Sequence, residues 1–157
     1  MPGLSSAANT SSWVEALLSG LRELAHVEGK SLVVESRWAE GSNDRLGAHA
    51  VERAGLKPDV LVAFQTPAAL ALQRATMTIP IVMVPAGDPI GTGLITSFSR
   101  SGGNITGVST GGPELHAKGM GIFRDFVPLF LRVGVLVNAA DPFSKLVLAR
   151  FLRAPTS

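Results

Sequence analysis

The segment from Thr78 to Gly107 constrains the fold of this chain more than any other part of the sequence. It opens with a short apolar, β-branched run that starts at Pro80 and leads into Gly87-Asp88-Pro89. Such a run is typical of a buried strand, and the Gly-Asp-Pro sequence predicts a turn at its carboxyl end. Ligands of open α/β sheets bind at that end of the strands. Asp88 is therefore the first candidate for a ligand contact.

Strands and helices alternate through the first half of the sequence. Helices are predicted from about Ser12 to Leu24, from Arg45 to Ala54 and from Thr66 to Ala75, and strands over Ser31–Arg37, Val60–Phe64 and Pro80–Val84. This close alternation is typical of right-handed βαβ units and a parallel sheet. We therefore predict an α/β fold with a Rossmann-like, three-layer parallel sheet.

The second half continues the alternation with weaker signals. The predicted elements are a short helix near Gly93–Ser99, a strand over Ile105–Ser109, a helix from Pro113 to about Val127, a strand over Arg132–Val137 and a helical tail after Ser144. Pro128 ends the fourth long helix, since proline removes a backbone donor and blocks further turns.

Composition excludes several classes of protein. The hydrophobic fraction of 46% fits parallel strands buried on both faces, and no apolar run approaches the roughly 20 residues of a membrane span. The net charge of +2 without a basic run gives no nucleic-acid footprint. Cysteine is absent, which excludes thiolate metal sites and a cysteine nucleophile. The three histidines lack metal-ligand spacing, so we predict no metal and no cofactor.

Several short motifs occur in one order along the chain. They are Glu28-Gly29-Lys30, Arg37-Trp38-Ala39-Glu40-Gly41, Asp44-Arg45-Leu46, Thr66-Pro67-Ala68-Ala69-Leu70, Thr78-Ile79-Pro80-Ile81-Val82-Met83, Gly87-Asp88-Pro89 and Gly103-Asn104-Ile105-Thr106-Gly107. In this order they resemble the substrate-binding proteins of ABC transporters, of the type related to tryptophan and aromatic amino-acid binders. The resemblance runs from Ser5 to about Pro142.

The resemblance implies a type I periplasmic-binding-protein fold, with two Rossmann-like lobes and a ligand in the cleft. Residues 1–104 then form lobe one, 105–143 the crossover and the start of lobe two, and 144–157 a tail that departs from the pattern. Family members are about twice this length, so the chain is interpreted as truncated. Its first strand, expected between the strands at Leu32 and Val60, is reduced to Met1–Leu4. Losing it would leave ladder groups unpaired on both neighbours.

Two candidate sites lie at predicted strand ends. At Thr66-Pro67, free backbone N–H groups of a helix amino end attract a carboxylate, whereas the alternative is a plain N-cap with Thr66 as cap and Pro67 as the first helical residue. Asp88 is suited to accept a ligand ammonium group, and its alternative is an Asx turn before Pro89. Gln65 stands where the family usually has glycine.

The remaining candidates follow from the resemblance. Ser5 and Ser6 follow the remnant of the first strand and could bond a ligand carboxylate, although a frayed terminus is the simpler interpretation. Asn138, with Asp141 nearby, matches the cleft-facing loop of lobe two.

The sequence therefore predicts a non-catalytic solute-binding component of an ABC-type uptake transporter, for a small amino-acid-like or other organic solute. Its expected partners are the solute and a membrane permease, not nucleic acid. The alternative is a truncated fragment without function, or one that depends on homodimer formation through exposed lobe-two elements. A Rossmann-type enzyme is weaker, since Gly91-Thr92-Gly93 only begins a dinucleotide fingerprint.

Two observations predict different locations for the protein. The resemblance implies the periplasm. Residues 1–12 carry neither the basic stretch nor the hydrophobic segment of a secretory signal, so the sequence as written is expected in the cytoplasm.

Overall fold

The structure is a computed structural model that describes residues 7–100, 102–126, 132 and 134–152. Its elements are α1 (Ala7–Glu23), α2 (Asn43–Gly55), β1 (Leu61–Phe64), α3 (Gln65–Ala75), β2 (Ile81–Ala86), β3 (Ile105–Ser109), α4 (Pro113–Phe126) and α5 (Pro142–Leu152). The chain divides into two compact units, Met1–His49 and Ala50–Ser157. None of the described helices is long and apolar enough to cross a membrane.

The first unit contains α1 and the start of α2. In α1, apolar side chains at intervals of three and four residues form one half-buried stripe: Val14, Leu17, Leu18 and Leu21. The strand predicted over Ser31–Arg37 is wrong: the segment makes one isolated bridge, between Glu28 and Leu32, and Val33 is 86% exposed. A strand exists only beside a neighbour that shares its hydrogen-bond ladder, and the described part of this unit provides none for residues 33–37.

The second unit is built on three parallel strands in the order β1-β2-β3, which confirms the predicted parallel sheet. Leu61 lies opposite Ile81, and Ile81 lies opposite Ile105. These three side chains are buried on one face of the sheet, which α3 covers through contacts with β1 and β2. Burial on both faces is not observed, because Val62 and Val108 on the opposite face are exposed.

Gly107 allows β3 to approach β2 closely. Its φ of 138° lies in a region that side chains of L-residues rarely adopt. A Cβ at this position would lie 2.2 Å from the carbonyl oxygen of Met83 and 2.7 Å from its backbone nitrogen. Only glycine therefore fits without a shift of the backbone.

The connection from β2 to β3 consists of turns, so the helix predicted near Gly93–Ser99 is wrong. The N–H groups of Leu94 and Ile95 both donate to the carbonyl of Pro89, at 2.8 and 3.0 Å, and both side chains join the core. Gln73 of α3 donates to the carbonyls of Gly93 and Leu94, which ties the connection to the helix. Buried apolar anchors and side-chain hydrogen bonds hold this loop in place of helical bonds.

The C-terminal part consists of α4 and α5, which contact each other. Both helices were predicted, α4 as the fourth long helix and α5 as the helical tail. The strand predicted over Arg132–Val137 is wrong for the described residues there, none of which lies in a sheet, and Leu136 is 95% exposed. Its apolar residues follow the strand pattern but have no neighbouring strand among the described residues.

Candidate functional site

The candidate site lies at the carboxyl edge of the sheet, where three loops leave the parallel strands. The first runs from β1 directly into α3, the second follows β2 through Gly87 and Asp88, and the third joins β3 to α4 through residues 110–112. Parallel strands bring these three loops to one edge. Backbone hydrogen bonds connect the second and third loops: Thr110 donates to Ala86 and Asp88 donates to Gly111, both at 3.0 Å.

Thr66 joins the first loop to the second. Its side chain is 3% exposed, the only buried polar side chain found among the described residues. The hydroxyl accepts a hydrogen bond from the Gly87 N–H at 3.0 Å and donates to the Gly87 carbonyl at 3.4 Å. The predicted N-cap role of Thr66 is wrong, since α3 begins at Gln65 with Phe64 as its N-cap and has no side-chain cap hydrogen bond.

Asp88 presents its carboxylate at the centre of this edge and is half-buried. Its Oδ1 atom accepts the Gly91 N–H at 2.9 Å, while its carbonyl accepts from the backbone N–H and the hydroxyl of Thr92. The local turn role considered for Asp88 is therefore present. The described bonds of the carboxylate use Oδ1, which leaves Oδ2 for another donor.

A second carboxylate, that of Glu114, lies near Gly112, as Asp88 does. A Cβ placed on Gly112 would lie 2.5 Å from Oε2 of Glu114 and 3.9 Å from the carboxyl carbon of Asp88. Glu114 stands in the first turn of α4, where a negative charge is favourable beside the helix amino end. The two side chains give this edge an acidic character suited to a cationic group.

An aromatic ring borders the site. Phe143 of α5 lies against Gly87 so closely that a Cβ there would be 2.3 Å from the ring. Asp141 orients the start of α5, because its Oδ1 accepts the Phe143 N–H and its Oδ2 accepts the Ser144 hydroxyl. The sheet edge thus has an apolar wall next to its carboxylates.

Comparison with known proteins identifies the family. The sequence profile described as "ABC transporter substrate binding protein" matches residues 6–154, nearly the whole chain. The chain belongs to this family. The match also includes most of the tail of residues 144–157, which was predicted to depart from the family pattern. The lobe boundaries stay predictions.

Two solved structures and a curated relative agree with this assignment. A conserved domain protein of Vibrio cholerae is 31% identical, with a TM-score of 0.76 over 88% of this chain and 46% of that one. An ABC domain from Streptococcus pneumoniae in complex with L-Trp is 26% identical, with a TM-score of 0.77 over 87% and 45%. The Tyrosine-binding protein of Clostridioides difficile is 26% identical over 84% of this chain and 38% of its own length.

These relatives support the predicted fold for the part of their length that this chain covers. The chain spans less than half the length of each of the three, and the substrate-binding fold predicted from the sequence is confirmed for that portion. The family is described as substrate-binding, in line with the prediction of binding without catalysis, and two of the relatives are named for a bound amino acid. No group of three metal-ligating side chains occurs among the described residues.

The predicted site residues meet different outcomes. Thr66, Pro67 and Asp88 lie at one sheet edge, as the strand-end rule implies, and Thr66 and Asp88 connect through Gly87. Asn138 lies in the turn before α5, where its side-chain oxygen accepts the Ala140 N–H at 3.0 Å. Ser5 and Ser6 lie outside the described residues. The roles of all six predicted site residues in ligand binding stay predictions.

Glu114 and Phe143 were missed as site residues. Glu114 could have been found by applying to β3 the strand-end rule that found Asp88, since Gly111-Gly112-Pro113-Glu114 follows that strand. Phe143 carries no such signal. Its contact with Gly87 joins residues that are far apart in the chain.

Gln65 adopts a conformation that favours glycine. Its φ is +69°, in the left-handed region, at the junction of β1 and α3. We expect Gln65→Gly to stabilise the protein by about 0.5–1 kcal/mol, because relief of the left-handed strain exceeds the entropy cost of glycine. Urea unfolding measures the change.

A matched variant checks that effect. Arg74→Gly places the same residue near the end of α3, where glycine is expected to destabilise by about 1 kcal/mol. If Gln65→Gly destabilises to the same extent, the left-handed strain at Gln65 is not real.

Proposed function

We propose that the protein binds a small amino-acid-like solute at the carboxyl edge of its sheet and does not transform it. The Asp88 carboxylate carries the proposal: it stands at a strand end with one oxygen committed to Gly91 and the other available. The relatives named for L-Trp and tyrosine make aromatic amino acids the first ligands to test.

Each part of an amino acid has a suitable counterpart at this edge. The ammonium group would bind Asp88, with Glu114 near Gly112 adding negative charge. The carboxylate would meet the amino end of α3, whose first-turn N–H groups have no side-chain cap. The Phe143 ring would contact an apolar side chain. We retain Ser5, Ser6, Pro67 and Asn138 as further proposed contacts.

We place this binding activity in an ABC-type uptake transporter, where the protein would deliver its solute to a membrane permease. The family assignment supports this role, and we propose a periplasmic location on the same basis. The chain spans less than half of the length of these relatives, so the transport role of the whole protein is part of the proposal.

The exposed apolar side chains of the C-terminal part favour a second candidate, a chain that needs a second copy to be stable. Phe126 is 82% exposed and Leu136 95%. Three further apolar residues of this part, Phe123, Leu129 and Phe130, have side chains outside the described residues. Burying a large apolar side chain contributes roughly 1.5–3 kcal/mol. Light scattering and a thermal melt test this candidate. A monomer with a sharp thermal transition excludes it.

Isothermal titration calorimetry of the wild-type protein tests the proposed function. The panel contains L-tryptophan, L-tyrosine, L-leucine and L-glutamate, with 3-phenylpropionate as an aromatic acid that lacks the ammonium group. We expect heat with the aromatic amino acids and much weaker binding of 3-phenylpropionate. A folded sample, verified by circular dichroism, that gives no heat with any amino acid contradicts the proposal.

A further inference from the structure

We propose that Thr66 is a positioning residue, which sets the direction of the Asp88 carboxylate instead of contacting the ligand. The inference rests on the proposed function for its effect on binding. It concerns a residue that the sequence presents as a ligand contact or a helix cap, and the geometry supports neither role.

The Thr66 hydroxyl is buried, and its hydrogen bonds are made within the protein. The side chain is 3% exposed, and its single oxygen already engages both the N–H and the carbonyl of Gly87. A hydroxyl that donates once and accepts once in a buried position has its main hydrogen-bonding capacity in use. A ligand that bound it would have to break a bond to buried backbone.

Those two bonds hold Gly87 through both of its peptide units: the N–H belongs to the unit that follows Ala86, and the carbonyl belongs to the unit that precedes Asp88. On the other side of the loop, the Asp88 N–H donates to the Gly111 carbonyl at 3.0 Å. With this peptide unit bonded to both Thr66 and Gly111, Asp88 has a φ of +36°, a conformation that a non-glycine residue keeps only when its surroundings impose it. Thr66 therefore restrains the backbone that carries the carboxylate, in addition to the Gly91 N–H that bonds to the carboxylate directly.

Two substitutions separate the hydroxyl from the shape of the side chain. Thr66→Val keeps the volume and removes the hydroxyl, whereas Thr66→Ser keeps the hydroxyl. Thr76→Val serves as the matched control, since it removes a hydroxyl that accepts backbone N–H groups in the turn after α3, before the amino end of β2.

The first measurement uses the ligand-free protein. In ¹H–¹⁵N NMR spectra we expect Thr66→Val to shift the Gly87, Asp88 and Gly91 amides and to speed hydrogen exchange at Gly87. Thr66→Ser is expected to restore wild-type signals, and Thr76→Val to leave these three amides unchanged. If Thr66→Val leaves the Asp88 and Gly91 amides in place, the positioning role is overturned, whatever the protein binds.

The second measurement is a double-mutant cycle with L-tryptophan and L-tyrosine as probes. Thr66→Val is expected to weaken binding about tenfold in the wild-type background, the effect of losing one well-aimed hydrogen bond to a charged group. In the Asp88→Asn background the same substitution is expected to change the Kd less than twofold. Equal factors in both backgrounds would mean that Thr66 contacts the ligand directly, and would overturn the proposal.

The two measurements keep two failures apart. A wild-type protein that binds neither amino acid contradicts the proposed function, and the NMR comparison still decides whether Thr66 orients Asp88. Melting temperatures of all variants, with Thr76→Val as reference, show whether a loss of binding follows from lower stability alone.

Discussion

Gly107→Ala is expected to be the most destabilising single substitution in the sheet. The added Cβ would lie 2.2 Å from the Met83 carbonyl oxygen, and the backbone around it would keep a φ of 138°. Strain and overpacking each cost about 1–3 kcal/mol, so the loss is roughly 2–6 kcal/mol. For a chain of this size that lowers the melting temperature by about 10 °C, which circular dichroism measures.

Gly103→Ala provides the control for this substitution. Gly103 lies in the turn before β3, and a Cβ there would meet nothing within 4 Å. Its melting temperature should stay within a few degrees of the wild-type value. Equal melting temperatures for the two variants would show that β3 does not approach Met83 as closely as described.

The elements that sequence reasoning predicted well have local signals at both ends. β3 was predicted at Ile105–Ser109, its observed extent, because it lies between a glycine-rich turn and the Thr110–Gly112 loop. The start of α4 was predicted at Pro113, since proline is favourable at a first helical position. Such signals depend on neighbouring residues alone, so the sequence is sufficient to find them.

The two strands predicted wrongly have the composition of a strand but no partner strand among the described residues. Residues 31–37 and 132–137 are rich in valine and leucine, yet neither segment has a described strand beside it. The hydrogen bonds of a strand belong to a pair of segments, and periodicity in one of them cannot reveal the other. Composition therefore indicated a strand propensity, but the described residues of these segments do not form strands.

The candidate site was predictable to the level of its location but not of its contacts. The strand-end rule found Asp88 and the Thr66 loop, because topology alone brings them to one edge. The hydrogen bonds between Thr66 and Gly87 connect residues 21 positions apart, and nothing in either local sequence indicates them. The residue type of Thr66 suggested a helix cap, whereas its buried hydroxyl bonds to the backbone of Gly87.

Asp88→Asn is expected to have the largest effect on ligand binding. Asparagine keeps the oxygen that accepts the Gly91 N–H, so the turn should survive, but it removes the negative charge that would hold an ammonium group. A hydrogen bond to a charged group contributes about 1.5–3 kcal/mol, so the affinity for L-tryptophan and L-tyrosine should fall roughly 10- to 150-fold. Isothermal titration calorimetry measures this fall.

Asp59→Asn makes the same chemical change at the opposite end of the sheet, since the exposed Asp59 precedes β1. It should leave the Kd within twofold of the wild-type value. Binding of 3-phenylpropionate, which has no ammonium group, should not weaken in Asp88→Asn, because repulsion between two carboxylates is lost. If Asp88→Asn binds L-tryptophan and L-tyrosine as tightly as Asp59→Asn does, the ammonium group does not bind at Asp88, and the observation on which the proposed function depends is lost.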